Sequence, residues 1–247
     1  MNILVTNDDG IHARGIGYLI EVAKNFGKVY VVAPKTQQSA ISQGLTIHEP
    51  LQIDKEEGLF TGVEAAYSIS GKPADCIKVA LEYLRFDIDL VLSGVNDGPN
   101  LGTDILYSGT VAAASEACVF RIPSISFSTD FGSFDIVEKE LERTLQYILI
   151  EKLARSGLIV NVNFPLNPHE ESKGIRITRQ GKRIFSAKFR HEEGKYWQEG
   201  NWVQVTNSEE SDVYATTQGY TSISPLGIDR TDYKQYEEWK EKDHFDW

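Results

Sequence analysis

The sequence predicts an α/β fold: a mostly parallel sheet with helices on both faces, followed by a C-terminal extension of β-hairpin and helix. Three observations carry the prediction. Short apolar runs alternate with amphipathic stretches through the first two thirds of the chain, the pattern of strands joined by crossover helices. The last third changes to short alternating runs set apart by Gly and charged residues, the pattern of hairpins. Finally, 247 residues are enough to bury a large core without staples. The two cysteines, Cys76 and Cys118, fall in apolar helical contexts that suit small buried hydrophobes.

Ile3–Thr6 is the first strand, and Ile16, Leu19, Ile20, Ala23 and Phe26 recur at helical spacing between Gly15 and Phe26. Lys28–Ala33 is a second strand, stopped by Pro34, and Thr46–Ile53 alternates like a strand with one wet face. Pro73 suits the first turn of a helix running through Ile77, Val79, Ala80 and Leu84. Ile88–Leu92 is a buried strand, Thr110–Phe120 an Ala-rich helix, and Ser124–Phe127 another strand. Asp135–Lys152 is helical, and Leu158–Val162 closes the block. Residues 1–170 are therefore the expected core and 171–247 the extension, within one structural unit. The extension holds alternating runs at Ile175–Thr178, Ile184–Phe189 and Trp202–Val205, which predict hairpins; Trp197 lies among them. Tyr233, Tyr236, Trp239, Phe245 and Trp247 crowd its tail, with Tyr236 and Trp239 on one face of a predicted helix. An aromatic stripe at the end of a domain predicts packing on a second copy of the chain.

A formal charge of −11 argues against a partner that is a nucleic-acid polymer, whose affinity comes from Lys and Arg displacing counterions. It leaves room for a small phosphorylated ligand, because a bound cation can supply local positive charge. The N-terminus lacks a secretory pattern, and no apolar run approaches the roughly 18 residues of a membrane span. The expectation is a cytoplasmic protein without membrane attachment.

The chemistry gathers in three loops that follow strands. The first strand runs into Asn7-Asp8-Asp9-Gly10, which puts two adjacent carboxylates at the carboxyl edge of the sheet, where ligands bind in open α/β folds. Adjacent carboxylates ionise together cheaply only around a cation. Both can reach one ion if the chain turns, which Gly10 permits; an exposed acidic turn is the alternative. A hydroxyl- and amide-rich loop, Pro34 to Ser42, follows the second strand. The third loop, Ser93 to Asp104, carries Gly94, Gly98 and Gly102 and leads into Ser108-Gly109-Thr110 at a helix start. Free amides, hydroxyls and the positive end of the helix dipole make that start an anion site, though Ser108 or Thr110 can also simply cap the helix. No dinucleotide fingerprint, no Walker-type Gly-Lys-Ser/Thr and no zinc spacing occurs, and His12 suits a solvated loop. Oxygen and amide donors remain, which suit Mg²⁺, Mn²⁺ or Ca²⁺.

These motifs together resemble the SurE family of metal-dependent nucleotidases. The resemblance rests on Asn7-Asp8-Asp9-Gly10, the Ser39 loop, Gly71-Lys72-Pro73-Ala74-Asp75-Cys76, Ser93-Gly94-Val95-Asn96 through Asn100, and Tyr107-Ser108-Gly109-Thr110-Val111. Ser211-Asp212-Val213-Tyr214-Ala215 and Gly219 through Leu226 extend it over nearly the whole chain. It implies a Rossmann-like core, and one divalent metal ion per subunit coordinated by Asp8, Asp9, Ser39 and Asn96. It also implies a phosphate held by Asn100, Ser108, Gly109 and Thr110, with nucleoside monophosphates as substrates. The C-terminal extension would exchange between subunits of a homo-oligomer, a dimer or tetramer. Asp8 and Asp9 are the expected catalytic residues, with hydrolysis by metal-activated water the expected route. Polyphosphate or other phosphomonoesters as substrates, or nucleotide sensing without hydrolysis, are the alternatives. Lys72 and Ala117-Cys118 depart from the family pattern at positions outside the ligand set.

Overall fold

The computed structural model describes residues 1–242, so Phe245 and Trp247 of the aromatic tail lie outside the described residues. In chain order the elements are β1 (Asn2–Thr6), α1 (Arg14–Ala23), β2 (Lys28–Pro34), β3 (Ile53–Lys55), β4 (Ala65–Ile69), α2 (Pro73–Lys78), β5 (Leu90–Asp97) and α3 (Gly109–Val119). They continue as β6 (Ser124–Thr129), α4 (Phe134–Ile150), β7 (Ile159–Asn163), β8 (Ile175–Ile177), β9 (Ile184–Glu192), β10 (Lys195–Val203), α5 (Asp212–Thr217), β11 (Thr221–Leu226) and α6 (Tyr233–Lys240).

Nine strands form one sheet in the order β3-β4-β2-β1-β5-β6-β7-β11-β8. The strands from β4 to β7 pair in parallel, while β3 and β11 run antiparallel to β4 and β7. The six parallel strands have the order of a doubly wound nucleotide-binding sheet, whose direction of winding reverses at β1 and β5. Crevices for ligands open at that reversal, outside the carboxyl ends of the strands.

Alternate residues of the central strands feed two cores. Ile3, Val5, Val29, Val31, Leu90 and Leu92 face Ile16, Leu19 and Ile20 of α1 and Leu141, Leu145 and Ile148 of α4. Leu4, Val32 and Val91 face Cys76 and Ile77 of α2 and Ala113 and Ala117 of α3. Helices thus cover both faces. Both cysteines are buried and unpaired, in the role their contexts predicted.

Several elements differ from the sequence prediction. Residues 46–52 form no strand: the Thr46 amide donates to the Asp75 carboxylate at 3.1 Å, and 47–50 are exposed, so only Ile53–Lys55 pairs. The helix begun by Pro73 changes to a π-helix over Val79–Tyr83, with the Leu84 amide donating to the Val79 carbonyl at 2.8 Å. Pro34 ends β2 inside the ladder rather than stopping it short. Asn96 lies within β5 as its penultimate residue, instead of in a loop beyond Leu92. β4, α5 and β11 carry weak signals: Ala65–Ile69 is poor in β-branched residues, and Thr221–Leu226 buries hydroxyls.

Among its described residues the last third makes one hairpin, not a series. β9 and β10 pair antiparallel as a separate ribbon exposed along almost its whole length. β8 instead enters the main sheet parallel to β11. Among the described residues no helix is long and apolar enough to cross a membrane.

Candidate active site

β1 ends at the reversal point, and Asn7 closes the turn beyond it by donating from Nδ2 to the Gly10 carbonyl at 2.8 Å. Gly10 has φ +99°, and a Cβ there would stand 3.3 Å from the Thr36 backbone. Asp8 is buried and Asp9 half-buried. Thr110 Oγ1 donates to Asp8 Oδ1 at 2.5 Å. Burial pushes the Asp8 carboxyl up to about 6, the Asp9 charge adds to that, and the Thr110 hydroxyl and amide oppose it. Asp9 is also raised, chiefly by burial, against the opposing pull of the Asp97 amide at 3.1 Å and Gln37 Nε2 at 3.2 Å. Among the described residues neither carboxylate pairs with Lys, Arg or His.

Ser39 sits on a loop that is laced over this turn. The Ile11 amide donates to the Pro34 carbonyl at 2.8 Å, the Gln38 amide to the Asp8 carbonyl at 2.7 Å, and the Ser42 amide to the Tyr107 carbonyl at 3.0 Å. Lys72 Nζ donates to the Leu45 carbonyl at 3.0 Å and so anchors the end of the same loop. Ser39 is exposed and follows Gln38 directly.

Asn96 follows a bulge in β5. The β5–β6 register shifts between Ser93 and Asn96, around Gly94 at φ +131°. A Cβ at Gly94 would stand 2.3 Å from the Phe127 carbonyl, so this position admits no side chain. Asn96 Nδ2 donates to the Gly98 carbonyl at 2.7 Å, which commits the donor end of its amide. The acceptor end is the one left for a cation.

At the start of α3, Ser108 Oγ accepts the Val111 amide at 3.1 Å, so the capping reading holds. Gly109 is where the helix meets the acids: a Cβ there would stand 2.7 Å from Asp8 Cβ and 3.1 Å from the Gln38 carbonyl oxygen. The first anion at this helix end is therefore a protein carboxylate, Asp8, which already takes the Thr110 hydroxyl. Asn100 is buried. Its Nδ2 donates to Ser128 Oγ at 2.8 Å, and its backbone is held by Asn161 and Asn163 of β7.

Sequence reasoning missed this buried polar support, together with Asp212, whose carboxylate accepts the amides of Gly102, Gly181 and Val213. A signal was present. Ser124-Ile125-Ser126-Phe127-Ser128 and Asn161-Val162-Asn163 alternate polar with apolar in strands that are buried on both faces.

Among the described residues no three His, Cys, Asp or Glu side chains gather as a metal cluster. Ser39 follows Gln38, whose amide is bound to the Asp8 carbonyl at 2.7 Å, and Asn96 precedes Asp97, whose amide is bound to Asp9 at 3.1 Å. The side chains of Asp8, Asp9, Ser39 and Asn96 offer two carboxylates, a hydroxyl and an amide oxygen. This chemistry fits a hard divalent cation. Two further observations agree with that fit: the raised, cation-free acids, and Asn7 Oδ1, buried beside them without a hydrogen-bond partner. A cavity of about 440 Å³ runs along α3, bounded by Leu106, Val111, Ser115, Gln180 and Leu226; the acids do not line it.

Comparison with known proteins places this geometry in context. The family model described as Survival protein SurE matches residues 3–187. The 5'-nucleotidase SurE of Alkaliphilus metalliredigens is 42% identical over 254 residues, covering 97% of this chain and 98% of that protein. The 5'-nucleotidase SurE of Clostridium beijerinckii is 41% identical over 243 residues, covering 94% and 95%. The crystal structure of the SurE protein from Aquifex aeolicus superposes with a TM-score of 0.81 at 36% identity, covering 98% of this chain and 99% of that one.

Proposed function

The chain belongs to the SurE family, and from that premise we propose that it is a metal-dependent 5'-nucleotidase hydrolysing nucleoside monophosphates to nucleoside and phosphate. The observation that carries the reading is the pair Asp8 and Asp9. They are raised and lack a cationic partner among the described residues, and Asp8 abuts the start of α3 at the sheet reversal. Asp8, Asp9, Ser39 and Asn96 would hold the cation. Bound there, a divalent ion would supply Lewis-acid activation of the phosphoryl group and of water.

The protein's own groups do the rest. Asp8 is fixed by Thr110 and sealed behind Gly109, which suits a ligand whose position must not drift. Asp9 is the more open acid and the one that can take a proton from an incoming water. Ser108, Gly109 and Thr110 would hold the phosphoryl oxygens at the helix start, where Thr110 also serves Asp8. Asn100 would add the second N–H of the side-chain amide whose first goes to Ser128. Catalysis here is mainly positioning and electrostatics.

Residues 171–247 would also serve assembly. The β9–β10 ribbon gathers Phe185, Phe189, Tyr196 and Trp202 on one face, with Phe185 and Trp202 edge to face at 5.3 Å. Tyr236 and Trp239 of α6 are exposed. Apolar surface of this extent suits a homo-oligomer, a dimer or tetramer that exchanges this extension.

The test is phosphate release from AMP, GMP, 3'-AMP, a simple phosphomonoester and polyphosphate, with Mn²⁺, Mg²⁺ or Ca²⁺ and with chelator. Metal-dependent release from nucleoside monophosphates is expected. A preference for polyphosphate would revise the substrate, and no release under any metal would overturn the reading.

A further inference from the structure

β6 and β7 bury polar side chains where strands covered on both faces ordinarily bury aliphatic ones. Ser126, Ser128, Asn161 and Asn163 are all fully buried. The register sets Ser126 beside Asn161 and Ser128 beside Asn163. Such groups cost free energy unless they are hydrogen-bonded, and here their bonds converge on one residue, Asn100. Asn163 Oδ1 accepts the Asn100 amide at 2.8 Å, and Asn163 Nδ2 donates to the Asn100 carbonyl at 3.0 Å. Asn161 Nδ2 donates to the same carbonyl at 3.0 Å, while Ser126 Oγ donates to Asn161 Oδ1 at 2.8 Å and fixes that amide. Ser128 Oγ accepts the Asn100 side chain at 2.8 Å.

The segment between β5 and α3 has left the sheet, so no ladder sets its position. Asn163 stands in for one: a single side chain satisfies both polar groups of the Asn100 backbone, as a neighbouring strand would. We propose that Asn163, backed by Asn161, is a positioning residue that holds Asn100 and the approach to Ser108 in register with the phosphate. The inference rests on the reading that Asn100 and Ser108–Thr110 hold phosphate. The side chains of the metal donors make none of these bonds: Asn96 lies opposite Ser128 in the register but gives its Nδ2 to the Gly98 carbonyl. Phosphate and metal binding should therefore respond differently to its loss.

The test compares the full-length protein with Asn100→Ala, Asn163→Ala and the double variant. It measures kcat and KM for AMP, inhibition by inorganic phosphate, and Mn²⁺ affinity by calorimetry. Asn100→Ala is expected to weaken phosphate inhibition about tenfold, the scale of one buried hydrogen bond. Asn163→Ala should match it through KM, with Mn²⁺ affinity unchanged. The double variant should lose less than the sum of the two single losses, because residues acting through one another are not additive. Unchanged phosphate inhibition in Asn100→Ala overturns the underlying phosphate reading. A loss in Asn100→Ala without one in Asn163→Ala, full additivity, or an equal loss of Mn²⁺ affinity overturns the positioning role. If Asn163→Ala does not fold, Asn161→Ala decides under the same criteria. It withdraws one of two donors to the Asn100 carbonyl and should raise KM about threefold.

Discussion

Replacing Gly109 by Ala adds one methyl group where the start of α3 touches the end of β1. The new Cβ would stand 2.7 Å from Asp8 Cβ, 2.8 Å from Asp8 Oδ2 and 3.1 Å from the Gln38 carbonyl oxygen. Carbon atoms pack best at about 3.5–4.0 Å, so the overlap with Asp8 is about 1 Å. Neither neighbour can yield cheaply. Asp8 is bound to Thr110 at 2.5 Å, and the Gln38 amide is bound to the Asp8 carbonyl at 2.7 Å. Overpacking of this kind costs about 1–3 kcal/mol of stability. Its larger effect falls on function, since displacing a catalytic group by about 1 Å costs on the order of 100-fold in rate. Gly109 is helical and not at positive φ, so backbone strain does not confuse the outcome. Gly17 on α1 is the control: a Cβ there meets nothing within 4 Å, and Ala should stabilise the helix by up to about 1 kcal/mol. The assay is Mn²⁺ titration with kcat/KM on AMP, alongside thermal melts of both variants. Wild-type metal affinity and turnover in Gly109→Ala would refute the claim that this contact sets the position of Asp8.

Other expectations follow from the same geometry. The Asp8 carboxyl is raised from 3.8 to about 6, so the metal-free native state binds the proton more tightly than the unfolded chain does. Its contribution is present below pH 4 and is lost as pH rises to about 6, a fall of about 3 kcal/mol. Melting with chelator should show that fall, and Mn²⁺ should restore the loss above pH 6. A flat chelated profile would remove Asp8 from the account. Thr110→Val deletes the hydroxyl that holds the Asp8 carboxyl down, so Asp8 should titrate higher and the pH midpoint of Mn²⁺ binding should rise; an unmoved midpoint would count against this bond. Phe189→Glu on the exposed ribbon should lower the molar mass measured by light scattering while leaving the melting temperature of the core unchanged. Unchanged mass would remove the ribbon from the interface.

The sequence by itself determined the alternation of strand and helix, the two acids at the end of the first strand, the glycines needed beside them and the cap at Ser108. These are local matters: periodicity, turn chemistry and capping depend on residues a few positions apart. It also determined the family, because ordered motifs survive without coordinates. The tertiary structure decided what those motifs touch. Thr110 falls on Asp8 although 102 positions separate them, and Asn163 falls on Asn100 across 63. Asn96 follows a bulge whose need for Gly94 comes from Phe127 on another strand. Thr46–Ile53 carried a strand pattern, but Thr46 bonded Asp75 and only Ile53 at its end joined a ladder. Register and burial set these partnerships. Both arise only when strands pack side by side, and a linear reading of periodicity holds no term for them.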